Sequence, residues 1–403
     1  MWVLQGETLV RNVSVALRSL VVVGFFAGRL LRGQPGIKHL FRPAVSRASL
    51  WFLCAAAAPV ILGKWGRTYD SVRAVYQLTT FVGFYFVVLA WVDSRQRVRR
   101  VLWAVLFSTL VTAMFAFYQQ IIGGYSSLWL YLNPQEEYSF PWSGRSTSFM
   151  GHPNSFAGYL NLVLPFALAC YLLGQGRWKK LGGWTFGLGL VALLSSQSVG
   201  GLAAFVAILV LATICFAHSR KKKLALLAGL GALVCLLYVL RPILNPSHTE
   251  EIVGSDAITR LLLWSAAWDE FMHAPVFGVG WGNFAAPYGG DIPLAPGLLE
   301  VHNIYLQLLA ETGLVGFVAF FTLVFKSWRQ ALHQFRSSLD FLDMALAFGV
   351  LGALLSVLVH GFIDIPFFAQ SGTLLWVLMA LLVANQRLRQ TPGVLHEQTV
   401  GAP

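Results

Sequence analysis

Long apolar runs broken by short polar or basic junctions set the pattern of this chain. They lie at roughly 49–63, 72–92, 101–122, 156–173, 184–196, 202–217, 224–243, 303–325, 342–361 and 373–386. Crossing a bilayer as a helix takes about 20 residues, and lipid leaves backbone groups no partner outside the segment. The pattern therefore predicts an all-α, polytopic membrane helical bundle of about ten transmembrane helices, with ten to twelve compatible. Between Arg18 and Arg29 the apolar run has only ten residues. It predicts an interfacial helix on the cytoplasmic side, with a tilted span as the alternative. Residues 1–48 then form a basic cytoplasmic or interfacial segment, 49–390 the transmembrane domain, and 391–403 a cytoplasmic tail.

Composition agrees with this pattern. Of 403 residues 57% are hydrophobic and only 11% charged, against about a quarter charged in soluble domains. The net charge of +12 resides in short clusters between apolar runs, which sets orientation and argues for no nucleic-acid partner. Five clusters belong inside: Arg95, Arg97, Arg99 and Arg100; Arg177, Lys179 and Lys180; Arg220 and Lys221–Lys223; Lys326, Arg329 and Arg336; Arg387 and Arg389. Ten spans with both termini inside satisfy all five, while Lys64 and Arg67 fall on the wrong side. Cys54, Cys170, Cys215 and Cys235 sit in apolar runs and read as small hydrophobes, not disulfides or metal ligands. The first apolar run has no convincing cleavage site and carries arginines, so no cleavable signal peptide is expected.

Two extracytoplasmic loops follow, at about 123–155 and 244–301, the second large enough for short helices. Each is acidic with a single arginine, Arg145 and Arg260. Such an arginine serves either an ion pair with a neighbouring carboxylate or an anionic ligand. Residues 257–272 suit a helix with Arg260, Trp264 and Trp268 on one face, lying on the outer leaflet where Arg260 can meet a phosphate. Pro275, Gly278, Gly280 and Gly282 then break helix. Their spacing is superficially like that of nucleotide-binding glycines, but with no βαβ unit a tight turn back to the membrane is expected. His302 and Asn303 stand at the outer start of the next span. The helix dipole there should keep His302 neutral and able to act as a general base, with Asn303 orienting the ring or a sugar hydroxyl. Glu311 lies within an apolar segment, either functional or pairing with a nearby donor. Arg145 and His152 precede another span, capped by Asn154 or Ser155. His360 and Asp364 mark a further outer helix end, where Asp364 is available to orient a histidine or a sugar. No tight carboxylate pair is present, and neither a metal nor a cofactor is expected.

These residues carry a resemblance. R-x-x-x-W at Arg260 and Trp264, the P-V-F-G-V-G-W-G-N-F turn and H-N-I-Y-L-Q-L-L-A-E-T-G-L-V-G-F resemble the O-antigen ligase and polymerase superfamily. R-S-T-S-F-M-G-H-P-N-S-F-A and H-G-F-I-D are similar to it too, so the resemblance covers about 145–370. It implies a bacterial inner-membrane glycosyltransferase with its site facing the periplasm. The donor would be an undecaprenyl-pyrophosphate-linked glycan, and the acceptor lipid A–core or a growing glycan. Transfer would be inverting and metal-independent. Arg260 and His302 match the family's essential arginine and histidine. The chain departs from the family where a serine-arginine pair is common: here S-S-Q-S-V-G-G places Gln197, so Arg145 takes over that role or the donor is held differently. Ligase, polymerase and protein-glycosylating activities share these residues. The reading from another class is a small-anion transporter, such as one for bicarbonate. A transporter should place its polar groups at mid-membrane in broken, repeated halves, whereas here they gather in outer loops with no repeat.

Overall fold

The computed structural model describes residues 2–33, 36–62, 68–122, 145–217, 219–221, 223–224, 250–288, 300–365 and 371–390. Eleven α-helices occur among them: α1 (Trp2–Leu31), α2 (Ala44–Leu62), α3 (Tyr69–Trp91), α4 (Arg95–Ile122), α5 (Pro153–Leu173), α6 (Gly176–Ser196), α7 (Val199–Phe216), α8 (Glu250–His273), α9 (Ile304–Ser337), α10 (Phe341–His360) and α11 (Gly372–Gln390). Seven of them, α2, α3, α4, α5, α7, α9 and α10, are long and apolar enough to cross a membrane. The protein is an all-α polytopic membrane bundle. The expected spans at 184–196 and 373–386 are helical, as α6 and α11, but more polar than these seven. The expected span at 224–243 lies outside the described residues, as do Lys64, Arg67, Glu136, Glu137, Asp291 and the tail.

Helix ends follow from local chemistry. Thr68 caps α3 by accepting from the Ser71 N–H, and Ser198 caps α7 by accepting from the Gly201 N–H. Asp340 caps α10 through the N–H groups of Leu342 and Asp343. At α5 the cap is His152, with Pro153 opening the helix, so the expectation of an Asn154 or Ser155 cap is corrected. Proline fits the first helical position because its missing N–H would be unpaired there anyway.

The bundle has two chemically distinct ends. At one, Arg95 bonds Asp340 at 2.6 Å and Asp343 at 2.8 Å, while Arg389 reaches Asp343 at 3.2 Å. Asn385 and Ser338 also donate to the buried Asp343 carboxylate, at 2.8 and 2.9 Å. Trp178 stacks near Phe341 and Phe216 near Phe335. All five basic clusters therefore gather at this end. Burying a carboxylate requires such full satisfaction, and the network ties α4, α9, α10 and α11 together. The starts of α5, α7 and α9 and the ends of α6 and α10 meet at the opposite end.

The N-terminal segment differs from expectation. It forms one 30-residue helix running alongside α3 in the same direction, with Ser19 bonded to Tyr76 and Val22 against Gly83. Arg18 lies at the level of Phe81, midway along α3. Its guanidinium covers that ring at 4.8 Å and donates to the Thr373 hydroxyl at 2.6 Å. An aromatic face and a hydroxyl thus accommodate the charge that marked this segment as a surface helix.

The glycine turn is built into α9. That helix breaks at Gly313, whose φ is 59° and ψ −165°. Residues 275–280 lie across the break: Pro275 O and Val276 O accept from Leu314 and Val315 at 2.8 and 3.2 Å, and the N–H groups of Val279 and Gly280 donate to Ala310 O and Glu311 O, each at 2.9 Å. A break is tolerated at membrane depth when protein satisfies the freed groups. Contact is backbone on backbone, since a Cβ at Gly278 would lie 2.4 Å from the Glu311 carbonyl carbon and one at Gly313 2.4 Å from that of Val276. Gly278→Ala and Gly313→Ala should each cost at least about 2 kcal/mol, from strain at positive φ plus overpacking. Gly187→Ala, where a Cβ meets nothing within 4 Å, should be neutral or slightly stabilising. Melting temperatures in detergent test this contrast, and a Gly278→Ala protein as stable as Gly187→Ala would refute it.

Candidate active site

The five residues after α10, 361–365, gather the site. Asp364 is buried, and its Oδ1 accepts from the Ile365 N–H at 2.8 Å and faces His302 Nδ1 at 3.4 Å. Its Oδ2 accepts from Asn154 Nδ2. Burial alone would raise this carboxyl, but the His302 contact and the charges of His302, His360 and His152 outweigh it and hold Asp364 below the usual carboxylate range. Hydrogen bonds and positive neighbours favour the ionised form.

His302 adopts left-handed backbone, with φ at 53°. A β-carbon is disfavoured there, and residues held so often sit at functional sites. The conformation is fixed from both sides. Ile304 N–H donates to Gly361 O at 2.8 Å. Asn303 Nδ2 donates to Phe362 O at 3.1 Å, while its Oδ1 caps α9 by accepting from Tyr305 and Leu306 at 3.0 and 3.1 Å. Asn303 is thus tied into the fold at both ends of its amide. It sets where His302 stands.

The α9 dipole is not what sets the His302 pKa. Burial lowers the His302 pKa, but the Asp364 hydrogen bond and charge, with Glu300, raise it more, and the net shift is upward. His302 precedes the cap residue, beyond the first turn where the dipole is strongest, and a full carboxylate charge at contact distance prevails. With Nδ1 turned to Asp364, Nε2 is the nitrogen left for substrate. His152 behaves oppositely: burial pushes it down to about 4, and its Nδ1 accepts from the Asn154 N–H at 3.2 Å. It is a neutral cap at the edge of the site.

Both loop arginines reach this cluster. Arg145 donates from Nε to Ser196 O and from Nη2 to Asn154 Oδ1, each at 3.0 Å. Asn154 consequently bridges Arg145 to Asp364. Ser196 is the last residue of α6, and Gln197 beside it closes the helix at φ 50°. Arg145 therefore docks against the end of α6 beside Gln197. Arg260, from α8, donates to Ile363 O, one residue from Asp364. Among the described residues Arg260 makes no ion pair.

The other expected residues fall elsewhere. Glu311 is buried in α9, accepting from Gln307 Nε2 at 3.1 Å and from the N–H groups of Gly282 and Phe284. It pins the glycine turn to α9. Trp264 is half-buried against Leu263, Ala266 and Phe284, whereas Trp268 is exposed, so the expected shared face of α8 divides between core and surface. Sequence reasoning missed Asn154 as a bridge and the carbonyls of Ser196 and Ile363 as arginine acceptors. The nearest signal was the five-residue H-G-F-I-D motif, which marks a helix end but not what folds onto it. Among the described residues no group of three or more His, Cys, Asp or Glu side chains is placed to hold a metal.

A bound anion would meet two guanidiniums here, and a hydroxyl could meet a histidine backed by a carboxylate. The family model for O-antigen ligase matches residues 184–321, a stretch that includes Gln197, Arg260, the glycine turn, His302 and Glu311. No curated protein matches the chain. Residues 184–321 are thus similar to the O-antigen ligase family, over about a third of the chain.

Proposed function

We propose that this protein transfers a glycan from undecaprenyl pyrophosphate to an acceptor hydroxyl, on lipid A–core or a growing glycan, with inversion at the anomeric carbon. The observation that carries the reading is the His302–Asp364 pair, held in strained backbone beside Arg145 and Arg260. In the proposed step the acceptor oxygen bonds to the anomeric carbon while the bond from that carbon to the phosphate oxygen breaks. The electron pair departs with the pyrophosphate, and His302 Nε2 takes the hydroxyl proton. Asp364 stabilises the imidazolium that forms, and the guanidiniums stabilise the charge on the leaving group. A positioned base of this kind is worth about 10²–10⁴-fold.

The site lies at the bundle end opposite the basic clusters, which under the positive-inside bias faces the periplasm across the inner membrane. These polar groups stand at a bundle end and not midway, which supports an enzyme over an anion transporter. The position of Arg145 beside Gln197 supports its replacing the family's second arginine. Polymerisation of repeat units would use the same residues with a glycan acceptor.

Arg260→Ala should abolish transfer in a folded protein, with Arg260→Lys restoring only part because lysine lacks the bidentate fork; near-normal turnover in the alanine variant would remove its phosphate role. His302→Ala and His302→Gln should both lose transfer while still binding the lipid-linked donor. An active Gln variant would demote His302 from base to positioning residue. Asp364→Asn should lower the His302 pKa, shifting the lower limb of the pH–rate profile toward acid as kcat falls; an unmoved limb would disconnect the pair. For sidedness, Asp291→Cys should label from outside in intact cells, and labelling only after permeabilisation would invert the orientation.

A further inference from the structure

The helix that carries Arg260 is seated by an acid. α8 packs on α9 through Leu263, Ala266 and Ala267, all buried, and one turn further on the same inward stripe presents Glu270. Glu270 is 4% exposed. Both of its oxygens are buried with no hydrogen-bond partner among the described residues, and no cation pairs with it there. Across the interface stands Glu311, its oxygens taken by Gln307 and by the N–H groups of Gly282 and Phe284. An ionised carboxylate in such a seat would be desolvated, unpaired and next to a second acid, which is strongly unfavourable.

We propose that Glu270 is a positioning residue which, as a neutral carboxylic acid, seats α8 on α9 and so holds Arg260 against the loop that carries Asp364. The seating is a property of the fold; only its effect on transfer rests on the function proposed for Arg260. The titratable groups around Glu270 are Glu311 on α9, Tyr288 after the glycine turn, and Asp269 and His273 on α8 itself, with Glu300 adding negative charge near Glu311. Glu311, Tyr288, Asp269 and Glu300 supply no positive charge, and His273 turns its Nδ1 to the Asp269 carbonyl. Burial, then Glu311, pushes Glu270 up to about 9.

The sign follows from linkage. Seated α8 holds a proton that an unseated, solvated Glu270 releases above about pH 4.5, so seating weakens as pH rises and levels off near pH 9. One proton gives a slope of up to about tenfold per pH unit in the opening equilibrium. Hydrogen exchange of α8 amides in the full-length protein in detergent, corrected for intrinsic rates, measures this from pH 5.5 to 8.5. Wild type should show the slope. Glu270→Gln and Glu270→Met, which cannot ionise, should be flat and keep α8 protected at pH 8.5, and Glu270→Gln should extend transfer to more alkaline pH. A flat wild type, an unchanged slope in both variants, or failure of both neutral variants to fold would overturn the proposal. Arg260→Ala should retain the wild-type exchange slope, so the seating can be tested even if Arg260 binds no phosphate.

Discussion

A single buried carboxylate organises the reacting end of this bundle. Asp364 accepts from the start of α5 through Asn154, from its own loop through Ile365, and faces His302 before α9. Each donor comes from a different element, so the carboxylate fixes their relative positions as well as their charge states. Arg145 enters the network through Asn154, and Arg260 through the neighbouring Ile363 carbonyl. Removing the negative charge would therefore loosen three helix ends at once. A buried charge is otherwise costly, and it is retained here with its partners supplied by backbone and side chains together.

The two ends of the bundle solve the same electrostatic problem differently. At the basic end the Asp343 carboxylate is met by two arginines and two neutral donors, Asn385 and Ser338. At the other end Asp364 is met by an amide, a backbone N–H and a histidine, while the arginines bond to carbonyl and amide oxygens. The carbonyl that accepts from Arg260 is neutral, so it orients the guanidinium without cancelling its charge.

Much of this was legible in the chain. Apolar runs of bilayer length and clustered arginines fix helices and their alternation, because lipid permits few other solutions. His302 and Arg260 stood out as isolated polar residues in glycine-punctuated segments. What remained hidden depends on contacts distant in sequence. The bonds made by Asn303 and Glu311 could not be read locally: Phe362 lies 59 positions from Asn303, and the turn that bonds Glu311 lies some thirty residues before it. The direction of the His302 shift was hidden for the same reason, since a helix dipole is visible locally and a carboxylate 62 positions away is not. Arg18 misled in the opposite direction: a charge in a short apolar run suggests a surface, unless an aromatic ring and a hydroxyl from other helices receive it.

The break in α9 has a mechanical consequence. The 34-residue helix is longer than a bilayer core requires, and a continuous rod of that length would transmit every change in tilt to its tip. Gly313 divides it into a short outer piece, Ile304 to Thr312, bonded to the glycine turn, and a long remainder anchored toward the basic end. When membrane thickness changes, spanning helices adjust chiefly by tilting. Here the glycine turn is bonded to both sides of the break, to Ala310 and Glu311 before Gly313 and to Leu314 and Val315 after it. The turn therefore splints the joint, so that a tilt of the long piece would carry the turn with it.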